Sequence, residues 1–250
     1  MWSRGPGGKV GAMAAQRHQF SGRFSGRPAG DTGEADPGVT AALGAWHRGA
    51  GSERDALLAV AGTRLLVPVV AMLLARDEET GADKESEMAL PTLIGNDGRV
   101  AIIAFSGLEA LTRWRPDARP VATPAARVWQ AAIAEGQSVV IDVAGPVPLV
   151  VEGARLAALA AGAPPPPPHE DPDIRAVIGG IVAAEPEVGG FALGPPADAG
   201  ADLAISLVSS DVTAARRVAQ DIAAQLAGRL RHRVELSFRR PAPKVPDDLG

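Results

Sequence analysis

The chain has 250 residues, a net charge of −4 and a pI near 5.6, which is enough chain for one large domain or two small ones. With 46% apolar residues but only 4% aromatic ones and no Tyr, its core has to be built from Val, Leu, Ile and Ala. The absence of cysteine excludes disulfides, thiolate zinc sites, iron–sulfur clusters and Cys nucleophiles, and the acidic balance argues against a global nucleic-acid footprint.

Residues 1–35 are rich in Gly, Ser and Arg and poor in residues to bury, the composition of a disordered tail. Arg4, Lys9, Arg17, Arg23 and Arg27 precede the first acid, Asp31, and Phe20-Ser21-Gly22-Arg23 repeats at once as Phe24-Ser25-Gly26-Arg27. This weakly basic arm is read as a solvated tail, with no nucleic-acid role expected beyond it. It has no apolar h-region and so does not read as a secretory signal; either Met1 or Met13 is compatible with the start.

The first domain is expected over residues 36–162. Asp36-Pro37 opens a helix carrying Val39, Leu43 and Trp46, and Ser52 caps a short helix through Ala61. Leu65 to Ala71 is apolar on both faces and reads as a covered strand, with Pro68 placing it at an edge or a bulge. The twenty residues from Ala56 to Ala75, apolar apart from Thr63 and Arg64, are long enough for a membrane span. Arg64 would then sit near the bilayer centre at about 2.5–3.5 kcal/mol, so a buried helix followed by a buried strand is the expectation, and no membrane association is expected. Arg76 to Glu87 is a charged loop with six acids and two bases.

Met88 to Ile94 reads as a strand, Asn96-Asp97-Gly98 as a hairpin turn, and Val100 to Phe105 as the returning strand. Ser106 and Glu109 have the spacing of a capping box for a helix through Trp114. Thr123-Pro124 opens a helix to about Glu135 with Val128, Ala132 and Ile133 on one face. Ser138 to Val143 and Val147 to Val151 are strands joined at Ala144-Gly145-Pro146, and Ala154 to Ala161 is a closing helix. Pro164 to Pro168 lie in a polyproline linker at 163–170.

The second unit, 171–240, reads as α-β-β-α-β. Ile174, Val177, Ile178 and Ile181 share one face of its first helix, followed by a weak strand at Gly189–Leu193 and a strand on which Leu203, Ile205 and Leu207 alternate. Ser210 is the candidate cap for a helix with Val218, Ile222, Leu226 and Leu230 as its stripe, and Val234, Leu236 and Phe238 mark a half-buried last strand. About 70 residues are marginal alone, so this unit is expected to dock on the first domain or on a partner. Residues 241–250 form a second disordered tail. The fold class is therefore α/β (α+β): a mixed sheet flanked by helices, with a second, smaller α+β unit.

Several stretches of the first domain, in order, resemble the SseB N-terminal domain in its actinobacterial form: Ala35-Asp36-Pro37, Leu66-Val67-Pro68-Val69-Val70, Asp83-Lys84, Met88-Ala89-Leu90-Pro91, Asp97-Gly98-Arg99, Ala104-Phe105-Ser106, the run from Trp114 to Val121, and Asp142 to Pro146. The resemblance covers roughly residues 34–162. It implies a cytoplasmic bacterial α/β domain of unassigned activity, in a family named for a serine-sensitivity phenotype, and brings no catalytic residues with it.

The residues add little chemistry. His18, His47, His169 and His232 are scattered without an i, i+4 partner, so no metal site is expected. Neither G-x-S-x-G, Walker A nor G-x-G-x-x-G occurs, and no cofactor is expected. Glu78, Glu79, Asp83, Glu85 and Glu87 share one loop, where solvation suits them better than catalysis. The one constellation that stands out is Arg113-Trp114-Arg115-Pro116-Asp117-Ala118-Arg119, which sets guanidinium forks and an indole on a loop after a helix. Trp114, Arg115, Asp117 and Arg119 are thus the candidate ligand- or partner-binding residues. The plainer reading has Trp114 packed at the helix end, Asp117 ordering the turn, and Arg119 tied to Asp117 or to backbone carbonyls. From these residues the expectation is a non-enzymatic module that binds a protein partner; the alternatives are a sensor of a small anionic ligand such as an amino acid, and an enzyme whose site is assembled from distant segments.

Overall fold

A computed structural model of the chain describes residues 31–72, 87–89, 92–95, 98–145, 148–198, 200–227, 229–230 and 233–240, together with a two-residue strand, β1, at Met13–Ala14. The chain is α+β and divides into two compact units, Met1–Pro165 and Pro166–Gly250, the division falling inside the proline run. The acidic loop's Glu78, Glu79, Asp83 and Glu85 lie outside the described residues.

The first unit opens with two capped helices. In α1 (Pro37–His47) the Asp36 carboxylate accepts the backbone N–H groups of Gly38 and Val39, and proline at the first helical position forfeits a donor that would be unpaired anyway. In α2 (Glu53–Ala61) Ser52 and Asp55 form a reciprocal capping box. The apolar run then breaks as expected, into the end of α2 and the strand β2 (Arg64–Met72). Among the described residues no helix is long and apolar enough to cross a membrane.

Two sheets follow. The first has the order β1, β4 (Thr92–Ile94), β5 (Val100–Ala104), β7 (Ser138–Ile141), β8 (Leu149–Val151). Only the β5–β7 pair is parallel, and the chain between them runs through α3 (Leu108–Trp114), β6 (Arg119–Pro124) and α4 (Ala125–Ala134). The second sheet has β2 between β3 (Glu87–Ala89) and β6. The two sheets meet where Leu66 and Phe105 exchange backbone hydrogen bonds of 2.8 and 2.9 Å. Helix α5 (Gly153–Ala160) packs against α4.

The central strands are buried on both faces. Ile102, Ala104, Val139 and Ile141 join a core with Leu57, Val128, Trp129, Leu156 and Leu159. Their neighbours Ala101, Ile103, Phe105 and Val140 join another with Leu66, Leu93 and Leu111. A strand covered in this way shows a continuous apolar run rather than alternation.

Four expectations for this unit change. Met88–Ile94 is two strands in different sheets, β3 and β4, because its first part pairs with β2 and its last with β5. Pro68 is neither at an edge nor in a bulge. It faces Pro120 across β2 and β6. Leu66 turns both its backbone groups toward Phe105, and Pro68, two residues on, shares that orientation, so its missing N–H removes nothing from the β6 ladder. Ile133 is 48% exposed, and Trp129 takes the buried place on α4 instead. The expected tail ends earlier than residue 35, since the Arg64 guanidinium holds the Asp31 carboxylate at 2.9 and 3.1 Å.

The second unit is one three-stranded sheet, order β11 (Arg233–Arg239), β10 (Ala201–Ser209), β9 (Val188–Gly194), with β9 antiparallel and β11 parallel to the centre. Helices α6 (Pro172–Ala183) and α7 (Val212–Leu226) supply Ile174, Ile178, Val218, Ile222 and Leu226 to its core. Along β10 burial alternates residue by residue, with Leu203, Ile205 and Leu207 turned to the helices. Asp171 caps α6, and Asp211 rather than Ser210 caps α7, its carboxylate sitting 2.7 Å from the Thr213 N–H. Val234 packs on the core as expected, but Leu236 and Phe238 are 40% and 46% exposed. They lie on an edge strand that the helices only partly cover.

Candidate functional site

The predicted segment lies on the far side of the sheet junction, and the structure separates its members. Trp114, the last residue of α3, is half-buried with its ring 5.3 Å from that of Phe105, tilted by 37°. It packs as the plainer reading expects. Arg115 Nε donates to Asp117 Oδ1 at 2.9 Å, and the two side chains keep 40% and 67% of their exposure. The guanidinium beside Asp117 holds its carboxyl below the usual carboxylate range. The residue paired with Asp117 is therefore Arg115, two positions away, and not Arg119 as expected.

Arg119 is not in a loop. It begins β6, opposite Val69, with its side chain exposed and without a hydrogen-bond or ion-pair partner among the described residues. β6 escapes a sequence reading because Arg-Pro-Val-Ala-Thr-Pro carries two prolines, which normally demote a strand. Arg113 bonds to Glu109 one turn back at 2.6 Å, so Glu109 serves an i, i+4 pair and no capping box forms. The surface thus offers an indole edge, one ion pair and one free guanidinium fork, a set suited to a carboxylate-bearing partner.

A second arrangement, drawn from distant segments, stands at the carboxyl ends of β5 and β7. Ser106 does not cap α3; Gly107 holds that position, with no side-chain bond. A side chain at 107 would have its Cβ 2.6 Å from the Ala35 backbone nitrogen, so the close pass of the 31–35 segment requires glycine. Ser106 instead turns to Asp142, its N–H donating to Oδ1 at 2.9 Å and its hydroxyl to Oδ2 at 2.7 Å. The Ser106 carbonyl in turn accepts from Arg64 at 2.8 Å, which joins Asp31, Arg64, Ser106 and Asp142 into one polar chain.

Asp142 is the one non-glycine residue with positive φ, 53°, among the described residues. Burial pushes its carboxyl above the usual carboxylate range, against the lowering effect of its bonds to Ser106 and of the nearby Arg113 charge. The only sequence signal for this pair is the Asp-Val-Ala-Gly-Pro turn, where the left-handed backbone is tolerated by Asp and continues into Gly145, whose N–H bonds the Asp142 carbonyl at 2.7 Å. Chemically the pair has a hydroxyl donor already committed to a carboxylate, an arrangement that fixes two strand ends. Among the described residues no group of three or more Asp, Glu or His is placed to hold a metal ion.

Compared with known families, residues 39–158 match the family model described as the SseB protein N-terminal domain. No curated protein and no solved structure matches the chain.

Proposed function

The chain belongs, through residues 39–158, to the SseB family, and from that premise we propose that it is a non-enzymatic cytoplasmic module that binds a protein partner at the Trp114–Arg119 face. The observation that carries this reading is Arg119, an exposed guanidinium without a partner among the described residues at the start of a strand, while its neighbours Arg113 and Arg115 are paired. A free fork beside an exposed ion pair favours an acidic segment of a partner, because a carboxylate can take both N–H groups of Arg119 and exchange with Asp117 for Arg115.

The test is affinity capture with wild type against Arg115→Ala and Arg119→Ala variants whose circular dichroism is unchanged. A partner held by wild type and lost by both variants supports the face; equal recovery by all three removes it. A second reading, a small-ligand sensor, is favoured by Asp142, a strained and desolvated carboxyl next to Arg113, which would suit a zwitterion such as an amino acid better than a simple anion. Thermal shift against amino acids separates the two: ligand at 100 times its dissociation constant adds about 2.7 kcal/mol to stability, and a flat response across the set leaves the partner reading.

A further inference from the structure

From the last strand of the second unit, we infer that two copies of the chain pair antiparallel along their β11 edges, joining two three-stranded sheets into one of six. β11 is a seven-residue strand hydrogen-bonded to β10 on one side only among the described residues. Its Leu236 and Phe238 are exposed, although they are in register with the core residues Ile205 and Leu207. A long strand with a free edge and bare apolar side chains is a template for another strand.

The sequence of the edge selects the occupant. A two-fold axis perpendicular to the sheet keeps the helix-covered face of both copies on the same side, so residues facing each other across the axis must have matching parity. With Ser237 opposite itself, Leu236 faces Phe238, and Arg239 faces Glu235, whose carboxylate also accepts the Ala197 and Asp198 N–H groups of its own chain, so the opposed pairs on each side of the axis are apolar with apolar and cation with anion. Shifting the axis to Leu236 sets Arg233 against Arg239, and shifting it to Glu235 sets that carboxylate against its own copy. Shifting it to Phe238 leaves one opposed pair within the strand, Ser237 against Arg239, and loses both complementary pairs. Within Arg233–Arg239, one of these four registers pairs opposite charge with opposite charge and apolar with apolar. Isologous pairing of this kind is the commonest closed symmetry, and it also supplies the extra burial that a unit of this size lacks.

The chain contains no cysteine, so a single introduced thiol reports the register directly. In Ser237→Cys the two thiols would face each other at the Cα separation of a cross-strand pair, about 4.5–5.5 Å, which suits a disulfide. Mild oxidation of the full chain should give a covalent dimer much faster than for Gln220→Cys on exposed α7. Sedimentation velocity should show wild type passing from monomer to dimer with concentration. Arg239→Glu, which opposes Glu235 with a like charge and removes no hydrogen bond or ion pair among the described residues, should raise the dissociation constant by roughly tenfold, since two symmetry-related pairs are reversed. Leu236→Glu with Phe238→Glu should abolish the dimer, and Leu236→Lys with Phe238→Glu should restore it. A chain that stays monomeric throughout, a dimer indifferent to Arg239→Glu, or Ser237→Cys crosslinking no faster than Gln220→Cys would each overturn the proposal.

Discussion

Strands β7 and β10 are the centres of gravity of the two units, and they solve burial differently. All four residues of β7 are buried, because helices cover one face of its sheet and the β2–α3 side covers the other. Along β10 every second residue is buried and the residues between are half-exposed, because helices cover one face alone. The first unit can therefore hold polar groups such as Ser106 and Asp142 in a desolvated junction, while the second leaves alternate residues of its central strand half-exposed.

The largest expected effect tests how far burial goes in the first unit. Arg155 is buried, its guanidinium paired with Glu53 of α2 and its Nε without an acceptor among the described residues. Arg155→Ala removes the cation of a partly buried ion pair and should destabilise by about 3–5 kcal/mol in urea unfolding, whereas Arg155→Met together with Glu53→Gln should recover most of that loss. Next comes an alanine scan of the two strands. Val139→Ala and Val140→Ala, adjacent but in different cores, should each lose about 2 kcal/mol. In β10, Ile205→Ala should lose about 2–5 kcal/mol, while the neighbouring Ser206→Ala should be neutral or stabilising, since the Ser206 hydroxyl is buried without a hydrogen-bond partner among the described residues. Equal losses along β10 would break the contrast.

A smaller effect separates Asp142 from the capping carboxylates. Its folded-state carboxyl titrates above the unfolded one, so its protonated form favours folding: the stabilisation is full below the unfolded value and is lost as pH rises through the folded one. Wild type should therefore gain on Asp142→Asn as the solution is acidified from neutral, and Asp142→Asn should match or exceed wild type at pH 7, since the amide keeps both Ser106 partners and tolerates positive φ. Asp142→Ala, which orphans the Ser106 N–H, should lose about 1–2 kcal/mol at pH 7. Unfolding curves across the pH range check both. Last, Asp117→Ala should leave the melting temperature unchanged, because the exposed Arg115 pair is solvent-screened.

Much of the chain was legible without coordinates. Helix starts carry their own chemistry, as at Asp36-Pro37 and Ser52, where a carboxylate or hydroxyl meets backbone donors two or three residues on. The misreadings fall where a local signal competed with a distant partner. Ser106 and Glu109 fit a capping box, yet Asp142, 36 residues away, claims the serine and Arg113 the glutamate. The candidate site shared this fate: Trp114 packs at the helix end as its position suggests, but Asp117 pairs with Arg115 rather than Arg119, whose strand character depends on β2 lying alongside.

What the sequence determined by itself was the class of each long element, the caps at Asp36 and Ser52, and the alternating pattern of β10, because these depend on neighbours within a turn or a pleat. Tertiary structure alone decided which face of β11 stayed bare, why Pro68 and Pro120 can oppose each other, and where Ser106 points. Each of those rests on a backbone group or covering side chain contributed from tens of residues away, and no local spacing encodes that distance.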